Sequence, residues 1–209
     1  MKKLLLPFLL FIVTVTSQSQ NIPLSNYGYY HNEGLDAYYS VHSGVTENEC
    51  SAVIPELTKL LKDKYPDILK NLDPQEITTA FRGFNTKNFD IVSFWNSKKN
   101  NLYASQKITP KIGTLVEKIL NENLSFEQTI LEINNFKKSN SLTSDEKNAL
   151  IVFESVLNSS NVYWRTNKKG KPGSQAIIAD GLGALMFCYS GPGAIIAGMA
   201  CSLFVNEAL

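Results

Sequence analysis

Residues 174–209 read SQAIIADGLGALMFCYSGPGAIIAGMACSLFVNEAL, and the only side-chain charges in this stretch are Asp180 and Glu207. Two apolar arms, Ala176 to Tyr189 and Ala194 to Val205, are joined by Ser190-Gly191-Pro192-Gly193, a sequence that turns the chain rather than continuing a helix. Small residues recur every fourth position: Gly193, Ala197 and Cys201 form one stripe, and Ala194, Gly198 and Ser202 the next. The first arm repeats the pattern less regularly through Ala176, Asp180 and Ala184, and through Ala179 and Gly183. Such stripes let a second helix approach closely, so the segment reads as a Gly/Ala-rich helical hairpin.

Two environments select a helix that is apolar all round, a protein core and a bilayer. Arms of about 14 residues reach only ~21 Å, short of the ~30 Å hydrocarbon core. A single span would also leave Arg165, Lys168, Lys169 and Lys171 on the exported side, against the positive-inside tendency. A buried hairpin is therefore the favoured expectation, with membrane engagement as the alternative. Asp180 is the one carboxylate within the first arm, and an ionised group buried there needs a partner. The expectation is that it sits at the wet edge of the segment, pairs with a basic residue, or caps locally.

Upstream, capping patterns mark helices. Asp73-Pro74-Gln75-Glu76 supplies an N-cap, a first-turn Pro and an acidic third position. Thr109-Pro110 opens a second helix with Ile112, Leu115, Val116, Ile119 and Leu120 on one face. Ser125 with Gln128, and Thr143 with Glu146, fit capping boxes. The apolar positions after them are Ile130, Leu131, Ile133 and Phe136, then Ala149, Leu150, Val152, Phe153, Val156 and Leu157. Helices are also expected over 33–42 and 55–64, the latter with Pro55 in its first turn, while 89–95 fits either a strand or a helix. No strand alternation recurs with hairpin turns. The fold class is all-α, a single multi-helix domain over 20–167 that ends in the hairpin of 174–209 beyond a basic Gly/Pro connector, 168–173.

The chain has 209 residues, of which 44% are hydrophobic, enough for one core. Residues 1–19 carry Lys2 and Lys3, then Leu4 to Val15, then Thr16-Ser17-Gln18-Ser19, the layout of a signal peptide cleaved after Ser19. Export to the periplasm or beyond is the expected destination. Loss of the two lysines leaves 18 basic against 19 acidic residues, so there is no electrostatic footprint for nucleic acid. Three cysteines remain, Cys50, Cys188 and Cys201, in no zinc-ligand spacing; Cys188 and Cys201 fall at different depths about the turn and are not expected to pair.

Chemistry-bearing motifs are sparse. His31 and His42 are the only histidines, and neither HExxH nor GxSxG occurs. Gly181-x-Gly183 lacks the third glycine of a dinucleotide loop. No catalytic group, metal site or cofactor is therefore assigned, and the partner is left open between a membrane and a protein. A hydrolase using His31 with an acidic partner is the contrasting reading. Tyr27, Tyr29, Tyr30, Tyr38 and Tyr39 cluster near the mature N-terminus, and are expected to finish a core more than to present a binding face.

Three pieces, in order along the mature chain, resemble a family of exported bacterial helical proteins known mainly from sequence. They are Asn26-x-Gly28-x-x-His31-Asn32-x-x-Leu35-Asp36, then Ser160-x-x-Tyr163-Trp164, then Ala179-Asp180-Gly181-x-Gly183-Ala184 with Gly193-Ala194-x-x-Ala197-Gly198. The third is also similar to the glycine-rich segments of bacteriocin-like peptides, which engage a target membrane. The resemblance implies export and a recurrent architecture. It marks His31, Asn32, Tyr163 and Trp164 as a structural or binding motif. Gly28 is expected to turn the chain into a helix start that Asn32 caps and Leu35 anchors.

Overall fold

The computed structural model describes residues 22–70, 72–166 and 174–209. The expected signal peptide, 1–19, and the connector, 168–173, lie outside these residues. Among the described residues the chain forms nine α-helices and no strand, an all-α fold. They are α1 Tyr27–Val41, α2 Cys50–Lys64, α3 Gln75–Phe81, α4 Ile91–Ala104, α5 Pro110–Asn121, α6 Phe126–Ser139, α7 Ser144–Thr166, α8 Ser174–Met186 and α9 Gly193–Ala208.

Helix starts follow local hydrogen-bond chemistry. The Thr109 hydroxyl accepts from the Ile112 amide, with Pro110 at the first helical position. Ser125 and Gln128 exchange side-chain and backbone bonds in a full capping box. Thr143 and Glu146 do the same at α7. The Asp73 carboxylate accepts from the Gln75 amide ahead of α3. The ambiguous stretch resolves as helix because Asp90 accepts from the amides of Val92 and Ser93 and starts α4 at Ile91. That cap was present in the sequence, with Ser93 three residues on adding its own hydroxyl bond to Asp90.

Several expectations are corrected. Helix α1 begins at Tyr27 rather than near Glu33, and α2 at Cys50, which puts Pro55 in the second turn instead of the first. Its missing N–H therefore costs α2 one internal bond. Leu131 is exposed on α6, one position off the buried face. Gly28 lies inside α1 and makes no turn. Its bare Cα instead lets α1 settle on Ser155 and Ser159 of α7, where the Ser155 hydroxyl accepts from the Gly28 amide.

The hairpin is the centre of the fold. Every residue from Ala176 to Met186 and from Gly193 to Val205 is buried. Helix α9 packs on α8, α1, α2, α3 and α7, and α8 is covered on its far side by α7. Burying Ile195, Ile196, Leu203 and Phe204 completely stabilises by about 1.5–3 kcal/mol for each side chain. The turn between the arms is a 3₁₀ turn, Cys188–Ser190, followed by Gly191 at φ 58°, ψ −123°, a conformation that requires glycine. Tyr27, Tyr38 and Tyr39 are buried, whereas Tyr29 is exposed. Among the described residues no helix is long and apolar enough to cross a membrane.

Candidate functional site

Asp180 sits mid-way along α8 with no exposed surface, so the wet-edge and local-cap readings both fail. Its partners come from three other helices. From α7, the Ser160 hydroxyl and the Trp164 indole N–H (3.2 Å) both donate to Oδ2; these two residues are one helical turn apart and share a face. From α1, His31 places Nε2 3.7 Å from the same oxygen and is also fully buried. From α9, Ser202 faces the carboxyl and favours its ionised form, although its hydroxyl makes no hydrogen bond.

The tautomer of His31 follows from the network around it. The Asn32 amide donates Nδ2 to the Ser159 carbonyl at 2.9 Å, which turns its Oδ1 toward His31 Nδ1 at 3.0 Å. Nδ1 must therefore carry the hydrogen, and in the neutral ring Nε2 is a bare acceptor aimed at Asp180. Asn32 is thus an interhelical tie in the body of α1, not a cap.

At 3.7 Å the two atoms make no hydrogen bond, and in this apolar core burial disfavours the charged form of each. Burial drives the Asp180 carboxyl up to about 8, against the opposing pull of Ser160, Ser202 and Trp164. Burial also drives the His31 imidazole down to about 4, only partly opposed by Asn32 and the Gly198 backbone. Between these values the pair holds one proton, on Asp180, and the site is neutral. The other ionisable groups near the carboxyl are Tyr39 on α1 and Cys201 on α9, and burial raises both, which keeps them protonated.

The glycines set the helix spacing that makes this geometry. A Cβ on Gly198 would stand 3.0 Å from the Asp180 carbonyl oxygen and 3.2 Å from His31 Cδ2. A Cβ on Gly183 would stand 2.6 Å from the Ala197 carbonyl oxygen and 2.7 Å from Cys201 Sγ. Residues of both small-residue stripes of α9 therefore stand against α8. Gly193 lies at the turn under Ser190 and Ile77, and Ala194 is buried behind it.

Of the residues singled out in the sequence, His31, Asn32, Trp164, Asp180, Gly198 and Ser202 converge on one cluster. Gly183 and Ala197 form a neighbouring α8–α9 contact. Tyr163 stands off the carboxyl and packs edge-on against Trp164, with centroids 5.2 Å apart. Ser160 opens the Ser160-x-x-Tyr163-Trp164 piece but is not among the residues marked in that motif, although its i, i+4 relation to Trp164 is visible in the sequence.

The order of groups decides what this chemistry can do. In a nucleophilic triad the imidazole stands between hydroxyl and carboxylate. Here the carboxyl stands between, accepting from Ser160, and the whole cluster is closed to substrate. It holds a proton and fixes register: sliding α8 by one residue would strip Asp180 of its donors in an apolar interior. His42, by contrast, is at the surface, bonded to Glu56 at 2.8 Å and stacked on Tyr38. Among the described residues no cluster of His, Cys, Asp and Glu has metal-holding geometry, and the three thiols are free. Comparison with protein-family models, curated proteins and solved structures finds no match to the chain.

Proposed function

We propose that this is an exported, non-enzymatic helical protein that stores an apolar hairpin inside an amphipathic coat and engages a membrane surface through it when the coat opens. The observation that carries this reading is the enclosure of α8 and α9 by α1, α2, α3 and α7. Asp180, the sole ionisable carboxyl within the buried arms, is held neutral there. With Asp180 protonated, the buried stretches Ala176–Met186 and Gly193–Val205 carry no side-chain charge, Glu207 lying beyond them, and enter an apolar phase without the desolvation cost of an ion. Its arms, 13 and 16 residues long, reach about 20 and 24 Å, so the hairpin would lie in the interface or re-enter it rather than span ~30 Å. The bacteriocin-like resemblance of the segment agrees with this mode, and the signal-peptide layout of residues 1–19 agrees with export.

The test is vesicle flotation of residues 20–209 beside a Phe204→Ala variant. Phe204 is fully buried in α9 against Phe81 and Phe89, so its truncation loosens the coat. Flotation that rises in the variant, with α8 and α9 amides gaining exchange protection on vesicles, is the expected result. If both proteins stay with the soluble fraction under conditions where the variant's coat opens, the hairpin is a core element only and the proposal fails.

A further inference from the structure

A cavity of about 230 Å³ opens between α3, α4 and the end of α8, away from the His31–Asp180 cluster. Helix α4 contributes Lys98, Asn101 and Leu102 from one face, followed by its C-cap residue Ser105. The floor is apolar, formed by Leu102 with Ala80, Met186 and Phe187. At the rim Glu76 is already satisfied: it is ion-paired to Lys107 and accepts from the Tyr189 hydroxyl at 3.1 Å, while the Lys107 ammonium lies 4.2 Å from the Tyr189 ring centroid.

Lys98 is different. Among the described residues its ammonium has no carboxylate partner and rests 5.4 and 5.8 Å from the Phe84 and Phe94 rings. Burial lowers its pKa, a sign that the cation is short of solvent and of a counter-charge. The lining thus sets two ammonium groups against one carboxylate, an excess of one positive charge over an apolar floor. Among the described residues the Asn101 side-chain amide, one turn along α4, has no hydrogen-bond partner and lines the same cavity as a second donor. A cavity of about 150 Å³ accommodates benzene, so this one has room for a single ring or short alkyl chain with a small head group.

We infer that this cavity binds a small apolar monocarboxylic acid, its carboxylate held by Lys98 and Asn101 and its hydrocarbon body against Leu102, Met186 and Phe187. The assignment is independent of whether the hairpin ever meets a membrane. A charge-assisted pair with Lys98 supplies selectivity for the anion, and the floor supplies the preference for an apolar body.

The experiment is a titration of residues 20–209 with benzoate, benzamide and benzylamine at low salt, followed through the backbone amide resonances of Leu102, Ser105 and Phe187. Benzoate is expected to shift them saturably, and benzamide to bind about tenfold more weakly, the worth of one charge-assisted contact. Lys98→Met keeps the apolar stem and should reduce benzoate affinity about as much, with an unchanged melting temperature. Equal binding of benzoate and benzamide overturns the proposal without any variant, as does the absence of saturable shifts. Benzoate binding unaltered in a folded Lys98→Met protein overturns the role of Lys98.

Discussion

His31 Nε2 and Asp180 Oδ2 face each other at 3.7 Å, beyond hydrogen-bond distance, with neither side chain exposed. Each residue alone would give the fold a strong pH dependence, and the two dependences oppose one another. Asp180 has a folded value of about 8 against about 3.9 unfolded, so its contribution to stability is lost as pH rises from about 4 to 8. His31 has a folded value of about 4 against about 6.5 unfolded, so the unfolded chain binds the extra proton and stability is gained across about 4 to 6.5. In the parent protein the pair's two slopes cancel up to pH ~6.5, and a fall remains between ~6.5 and ~8. Asp180→Asn should abolish that fall and uncover a rise between pH ~4 and ~6.5, at up to about 1.4 kcal/mol per pH unit. His31→Gln should instead give a fall across the whole interval. Urea unfolding at half-unit pH steps measures both, and parallel profiles for all three proteins would refute the opposed shifts of Asp180 and His31.

The two close-approach glycines are not equivalent. Alanine at Gly183 meets a carbonyl oxygen of α9 at 2.6 Å, whereas alanine at Gly198 meets one of α8 at 3.0 Å. Backbone cannot rotate away, so Gly183→Ala should cost about 1–3 kcal/mol and Gly198→Ala less. Gly44→Ala, whose nearest atom is a Glu207 oxygen at 3.4 Å, serves as a control expected within about 0.5 kcal/mol of the parent. Melting temperatures that fail to rank in this order would show that α8 and α9 can separate freely.

Removing the carboxylate that starts α4 should be felt by the whole fold, because Phe94 and Trp95 behind it are fully packed. Asp90→Ala is expected to destabilise by about 1–2 kcal/mol, and Asp90→Asn to restore most of it, since the amide oxygen still accepts from the first-turn amides. Chemical denaturation distinguishes the two. Equal losses would mean that charge, not capping geometry, is what Asp90 provides.

Burial raises the Cys50 thiol to about 12, the Cys188 thiol to about 11 and the Cys201 thiol well above its ordinary value. The native protein should therefore react slowly with thiol reagents at pH 8, with Cys50 and Cys201 yielding only on unfolding. Cys188 is half-buried at the hairpin turn and should be the first to react. Rapid native labelling of Cys201 would instead report opening of the α8–α9 hairpin.

What could be read from the chain alone were interactions closing within a turn or two of helix. Thr109, Ser125 and Thr143 announce their helices because a cap joins residues three apart. The hairpin's turn is written in Gly191-Pro192-Gly193, and its close packing in the four-residue spacing of Gly and Ala. Asp90 belonged to the same class and lay masked by the aromatic run after it. That Asp180 needed a partner was equally plain from the cost of burying a lone carboxyl. Which partner it found was decided only by tertiary structure. Ser160 and Trp164 share a face of α7, but only the packing of α7 on α8 turns that face toward Asp180. His31, from the opposite end of the chain, arrives because α1 lies against both α7 and α9. Local capping depends on bonds between neighbours in sequence, whereas the burial that raises Asp180 and lowers His31 exists only once four helices have closed out water.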